Sequence, residues 1–179
     1  MPKNMERKIR ILGIIGLVSV ISPEFINFGA IGNIVLGLVG TVVGCYLFYL
    51  LGKAHGDMVL FKTNLAQTLV LSPVVLLLSL VAASKNSLAN NFVLYSVLGV
   101  TIILLLFLAF TNYKLAKHLG VLSKKVDSLY FKYTSILLFV SAYTMPVLIG
   151  FLFFAIAFVL FLLGCIMYKS PAPSELSRV

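Results

Sequence analysis

"YTSILLFVSAYTMPVLIGFLFFAIAFVLFLLGCIMY" runs from Tyr133 to Tyr168 without one charged side chain. The fold turns on whether this stretch is one element or two. A helix rises 1.5 Å per residue, and about 30 Å of hydrocarbon takes roughly 20 apolar residues. The run is far too long for one crossing. "TMPVLIG" at 144–150 supplies a break, because Pro146 has no amide donor and Gly150 permits a turn. The run therefore divides into spans at about 133–144 and 147–167.

Working back toward the N-terminus, three further runs meet the same length criterion at 30–51, 64–83 and 91–111. A shorter one covers 9–22, with Lys8 and Arg10 able to snorkel at one end and Pro23 and Glu24 marking the other. The basic start "MPKNMERKIR" and the apolar run after it resemble a secretion signal, but "PEF" stands where a small-residue cleavage site would be. It reads as a retained first span. The chain is 61% hydrophobic and 11% charged, with a mean hydropathy of +1.11, against about 25% charged residues in soluble domains. The expectation is an all-α, polytopic helical membrane protein. Residues 1–179 form one membrane domain with six spans, multi-pass in the cell membrane.

Net charge is +9. A nucleic-acid binder needs its cations on a folded, water-facing surface, whereas here they sit between apolar runs, so no nucleic-acid partner is expected. Six spans put Lys3, Arg7, Lys8, Arg10, Lys53 and Lys62 on one side together with Lys114, Lys117, Lys124, Lys125, Lys132, Lys169 and Arg178. The other side collects only Lys85. Cytoplasmic loops retain Lys and Arg, so both termini are expected in the cytoplasm.

Two hexapeptides share one plan: "DMVLFK" at 57–62 and "DSLYFK" at 127–132. Both lie where the chain turns outward into a span. Phe61 and Phe131 would dip into the acyl boundary while Lys62 and Lys132 stay among the phosphates. Between the fourth and fifth spans, an amphipathic cytoplasmic linker at 112–132 carries Leu115, Leu119, Leu122, Val126 and Leu129 at alternating steps of four and three. Lys114, Lys117, Lys124 and Lys125 lie mostly on its other faces, as membrane-interface contacts. The stripe could lie in the interface, extend the fourth span or dock a partner helix.

In the second span Asn33, Gly37, Gly40 and Gly44 share a helix face, and Gly13 and Gly16 supply small residues to the first. Helices in lipid associate by close backbone approach, so these six are candidate packing residues. The rival reading is a solute path lined by Asn33 and exposed carbonyls. The sixth span is apolar on every face until Gly164, and is expected to meet lipid or another membrane protein.

No chemistry stands out. Cys45 and Cys165 match no metal-ligand spacing, and His55 and His118 lie in inner loops without companion ligands. No catalytic residues, cofactor or metal are expected, and no nucleophile grouping or phosphate loop is present. The span cores carry no ionisable group of the kind that proton-coupled transport requires.

A short first span, a glycine-rich second, "LGKAHGDMVLFKTNLAQ" at 51–67, a lysine-rich linker and "LYFKYTSILLFVSAYTMPVLIGFLFFAIAFVLFLLGCIMY" at 129–168 form a recognisable arrangement. It resembles a family of small, mostly archaeal integral membrane proteins, domain of unknown function 996. The resemblance implies a helical membrane protein and no established activity. The functional expectation is a non-catalytic accessory or scaffold subunit, with membrane lipids and other integral membrane subunits as partners. The alternative is a channel or facilitator for a small neutral solute.

Overall fold

The structure, a computed structural model, describes residues 3–25, 29–83 and 91–169. It is helical throughout: α1 (Lys3–Phe25), α2 (Gly29–His55), α3 (Met58–Ala83), α4 (Asn91–Val126), α5 (Leu129–Thr144), a 3₁₀ turn (Met145–Val147) and α6 (Gly150–Ile166). The long run at 133–168 breaks where Pro146 predicts, with Leu148 in the left-handed region at φ 66°.

Both hexapeptides sit at the same kind of corner. Gly56 and Asp127 take left-handed φ values of 69° and 48°. The next amide then reaches back five residues, from Asp57 N to Gly52 O at 2.8 Å and from Ser128 N to Ser123 O at 3.1 Å. This bond stops one helix by satisfying its late carbonyls. The same residue starts the next helix: Asp57 Oδ1 accepts from Val59 N at 3.2 Å, and Ser128 Oγ accepts from Phe131 N at 3.5 Å.

Each helix packs on its neighbours in chain order, and α6 closes the ring on α1. Contacts run antiparallel throughout. Gly13 meets Cys165 and Gly16 meets Leu162 across α1 and α6, while Asn112 bonds Ser141 across α4 and α5. One end of the bundle gathers the start of α1, both hexapeptide corners and the end of α6. There Arg10 Nε donates to Tyr168 O at 2.8 Å and His118 Nδ1 pairs with Asp57 Oδ2 at 2.6 Å. Every described lysine and arginine belongs to this half. Its interior is a dense cluster that includes Leu47, Leu51, Leu119, Phe131, Phe161 and Leu162.

By length and composition two stretches can cross a membrane, Ile34–His55 and Tyr95–Val126, with mean hydropathies of 2.3 and 2.0. Met58–Leu71 and Gly150–Ile166 are shorter apolar helices. Only 33% and 28% of the residues in the most apolar 18-residue window of each long stretch are buried within the bundle.

One expectation is narrowed and another changes. Of the readings for the stretch at 112–132, the structure takes the extension of the fourth helix as far as Val126: α4 runs unbroken for 36 residues, about 54 Å at 1.5 Å per residue, before the corner that leads into α5 at Leu129. The first three members of its stripe, Leu115, Leu119 and Leu122, are buried in the main core, Val126 is half-buried against it, and Leu129 stays exposed. Phe131 is no interface residue; it is fully buried with its ring against Gly164 and near Phe161. The corners explain this. Gly56 corresponds to Asp127, so the helices are in register one residue away from the hexapeptide match, and Leu60 rather than Phe61 occupies the place of Phe131. One residue turns a helix by about 100°, enough to change face. Finally, α6 is apolar all round and buries Ala157, Phe161, Leu162 and Cys165 within the bundle, while Leu152 and Ile156 stay exposed on its outer side.

Candidate functional site

The predicted packing residues separate into two groups. Gly13 and Gly16 lie in the α1/α6 seam, where an added Cβ would stand 3.0 Å from Ile166 and 2.9 Å from Leu162. These are true close approaches. The α2 face behaves differently. Nothing lies within 4 Å of a Cβ at Gly37, and one at Gly40 would meet Val20 only at 3.5 Å. Gly44 alone is pressed, by the Phe158 ring at 3.0 Å. The side chain of Asn33 lies outside the described residues.

What faces the open α2 surface is a cleft of about 240 Å³. One wall is Gly37, Gly40 and Gly44 with Thr41 and Cys45 beside them. The second wall is α3, whose Asn64, Gln67, Thr68 and Leu71 recur at three- and four-residue steps and so share a face. Phe154 and Phe158 of α6 close the back. Gly37 and Thr41 are exposed at the rim, so the cleft opens sideways from the bundle. A neighbouring space that shares Asn64, Phe154 and Phe158 with the cleft is lined also by Phe48 and Phe161, stacked with ring centroids 4.1 Å apart. Around that stack the remaining space falls to about 10 Å³, room for one water at most.

A buried polar chain leads away from the cleft into the bundle. Gln67 Nε2 donates to Asn112 Oδ1, Asn112 Nδ2 donates to Ser141 Oγ at 3.0 Å, and Ser141 Oγ donates to the Gly150 carbonyl at 2.8 Å. It ties α3, α4, α5 and α6 together beside the break that decides the helix count. All three side chains are at least nine-tenths buried. Gln67 borders the cleft, while its Oε1 is a fully buried atom without a hydrogen-bond partner. The other polar side chains there are bonded within the protein: Thr41 to Gly37 O, Thr68 to Asn64 O, and Asn64 Nδ2 to Cys45 Sγ at 3.4 Å.

Sequence reasoning passed over Asn64, Gln67, Asn112 and Ser141. A signal existed, since amide side chains inside or bordering apolar spans are costly there and need partners. Spacing alone gave no account of which partner each would find.

The predicted interface residues lie at the cationic end. Lys62, Lys114, Lys117, Lys124, Lys125 and Lys132 are exposed, and Lys114 Nζ stands 5.7 Å from the centre of the Phe110 ring. Phe61 is half-buried, edge-on to Tyr49 at 5.5 Å. A wider groove of about 400 Å³ borders Lys124, Asp127 and Lys132. It mixes both signs of charge. Beyond the apolar part of α2, His55 Nε2 lies 2.9 Å from the Tyr168 hydroxyl. Burial, with Lys125 second, lowers the His55 pKa. Burial, then Glu6 and Cys165, pushes the Tyr168 hydroxyl up to about 12. Among the described residues no three His, Cys, Asp or Glu side chains converge as a metal-ligand group.

A scan against protein-family models finds no match, and neither the curated proteins nor the solved structures contain one. The family resemblance accordingly rests on hydropathy, the Phe-Lys boundaries and the turn residues.

Proposed function

We propose that the chain is a six-span integral membrane protein of the cell membrane, with both termini in the cytoplasm, that acts without catalysis by holding a small uncharged molecule in the cleft between α2 and α3. The observation that carries the binding role is the half-open cleft of about 240 Å³, apolar along Val20, Leu71, Phe154 and Phe158 and bordered by Thr41, Asn64, Gln67 and Thr68. Six crossings are supported by the up-and-down ring, by large apolar side chains exposed along α4 such as Ile102, Ile103, Leu106 and Phe110, and by the gathering of described cations at one end.

The tightness of the adjoining space, about 10 Å³, favours a binding cleft over a through path for a solute. The accessory-subunit reading keeps one support, the exposed apolar face of α4, while α6 has its own helices to pack against. Domain of unknown function 996, the family it resembles, supplies no activity to transfer.

Two measurements test the proposal. Cysteines placed beside Lys53, Lys124 and Lys85 are exposed to a membrane-impermeant thiol reagent outside intact cells. Only the Lys85 site should react, and labelling beside Lys53 or Lys124 refutes the topology. Native mass spectrometry of protein extracted mildly from its own membrane should show a retained small molecule that is lost in Gly40→Leu. A bare chain in both samples refutes the binding role.

A further inference from the structure

We infer that the groove between the end of α4 and the start of α5 holds the headgroup of an anionic phospholipid, with its phosphodiester at Lys124 and Lys132 and an acyl chain running past Ile136. This is a second site, apart from the cleft beside α2. It rests on the proposed topology in one respect, that the corner at 127–128 lies at the level of the lipid headgroups.

Helical spacing builds the groove. Gly120, Ser123 and Lys124 share one side of the end of α4, Leu129, Lys132 and Ile136 share one side of the start of α5, and Asp127 and Ser128 form the corner between them. Other faces of the same segments send Leu119, Leu122 and Phe131 into the core, which holds both walls in place. The helices touch where Ser135 Oγ donates to the Ala116 carbonyl at 2.8 Å, and a Cβ added at Gly120 would stand 3.0 Å from that same oxygen. Beside this contact the lining residues border a space of about 400 Å³.

Charge selects the occupant. Lys124, Lys132 and Asp127 are all exposed, and among the described residues none of them is held in an ion pair. Two lysines against one aspartate leave a surplus of one positive charge, which the single negative charge of a phosphodiester neutralises. Ser123 and Ser135 spend their hydroxyl hydrogens on the Gly120 and Ala116 carbonyls, whereas Ser128 Oγ accepts from Phe131 N and keeps its hydrogen for an acceptor such as phosphate. The groove also lies at the N-terminal end of α5, where the amides of a first helical turn favour an anion. Ile136 decides between a lipid and a free phosphodiester. It is 48% exposed and stands one turn beyond Lys132 toward the apolar part of α5, so a lipid chain covers it while the phosphate reaches the lysine. A choline lipid offers the same phosphate but adds a fixed cation to a groove already in positive surplus.

The full chain in detergent is equilibrated with equal amounts of phosphatidylglycerol and phosphatidylcholine of identical acyl chains, and bound lipid is counted by native mass spectrometry. Phosphatidylglycerol should bind about tenfold more tightly, and the double substitution Lys124→Gln and Lys132→Gln should bring the two lipids to within about twofold. Lys62→Gln with Lys114→Gln removes the same charge elsewhere at this end and should leave the preference intact. Asp127→Asn should strengthen it, because asparagine tolerates the left-handed backbone at φ 48° and the repelling carboxylate is gone. Equal binding of the two lipids by the native chain overturns the site, and so does a preference that survives the Lys124 and Lys132 substitutions or disappears equally with those at Lys62 and Lys114. Displacement of the lipid by an equal concentration of soluble glycerophosphoglycerol overturns the lipid assignment. Should the Lys124 and Lys132 variant fail to fold, Asp127→Asn still decides, since unchanged binding there refutes the charge argument. Failure of the topology shows separately, in the thiol labelling, and equal lipid binding with the expected labelling pattern refutes this site alone.

Discussion

The glycines of α1 and the glycines of α2 look alike in the sequence, each set spaced along one side of an apolar helix, and the bundle treats them in opposite ways. Gly13 and Gly16 receive Ile166 and Leu162 of α6, and the seam closes with no room for a side chain. Gly37 has nothing within 4 Å of an added Cβ and Gly40 meets only Val20 and Ser19 of α1, at 3.5 and 3.6 Å, and a cleft remains between this part of α2 and the face of α3 that carries Asn64, Gln67 and Thr68. The difference lies in the partner. Aliphatic side chains gain dispersion by filling a groove. Amide and hydroxyl side chains instead take the geometry of their hydrogen bonds, and α3 is drawn toward α4 through Gln67 and Asn112. A small-residue face thus marks where a helix can come close. Whether it does depends on what the opposite helix presents.

Substitutions that add bulk to each face test this most sharply. Gly16→Leu forces a Cβ to 2.9 Å from Leu162 and 3.3 Å from Val43, and should cost about 3 kcal/mol of stability in detergent-unfolding measurements. Gly40→Leu enters the cleft and should cost less than about 1 kcal/mol. Equal losses at the two sites would erase the distinction. Ser141→Ala removes the donor to Gly150 O and the acceptor for Asn112 Nδ2, and should cost about 2 kcal/mol. Its effect would show that the polar chain, rather than the glycine pattern, holds the α3 side of the bundle.

Acid should distinguish the faces as well. His55 has a folded-state pKa below its ordinary 6.5 because burial opposes its charge. The folded protein therefore binds this proton less readily than the unfolded chain, and the associated stability is present above about pH 6.5. It is lost as pH falls below that value toward the folded pKa. Thermal unfolding midpoints between pH 7.5 and 5.5 should fall, and His55→Gln should flatten this component. The effect belongs to the α2/α6 end, since the cleft walls hold no histidine, carboxylate or lysine. The smallest change is expected from Gly37→Leu, which has nothing within 4 Å of its new Cβ and should stay within about 0.5 kcal/mol of the native protein.

The candidate site was half legible. Gly37, Gly40 and Gly44 could be placed on one face because helical periodicity is local. The α3 wall was missed because Asn64 and Gln67 look tolerable in a span until their surroundings are known. Phe131 shows a different limit. Its hexapeptide matches that of Phe61 letter for letter at the Phe-Lys end, yet the corners that start the two helices differ by one residue in register. That shift turns one phenylalanine into the core and leaves the other at the edge.

By itself the sequence determined where the apolar runs lie: the break at Pro146, the long apolar runs and the gathering of cations toward one end are properties that each segment carries alone, whereas α4 continues to Val126, beyond its expected end at 111. Transfer free energy and capping act on a few neighbouring residues, so no partner is needed to read them. Tertiary structure decided which side of each helix is covered, the burial of the α4 stripe, the cleft beside Gly40 and the direction of the chain from Gly150 to Gln67. Those depend on rotation about each helix axis, which is set by corner register and by the side chains opposite, and both lie far away along the chain.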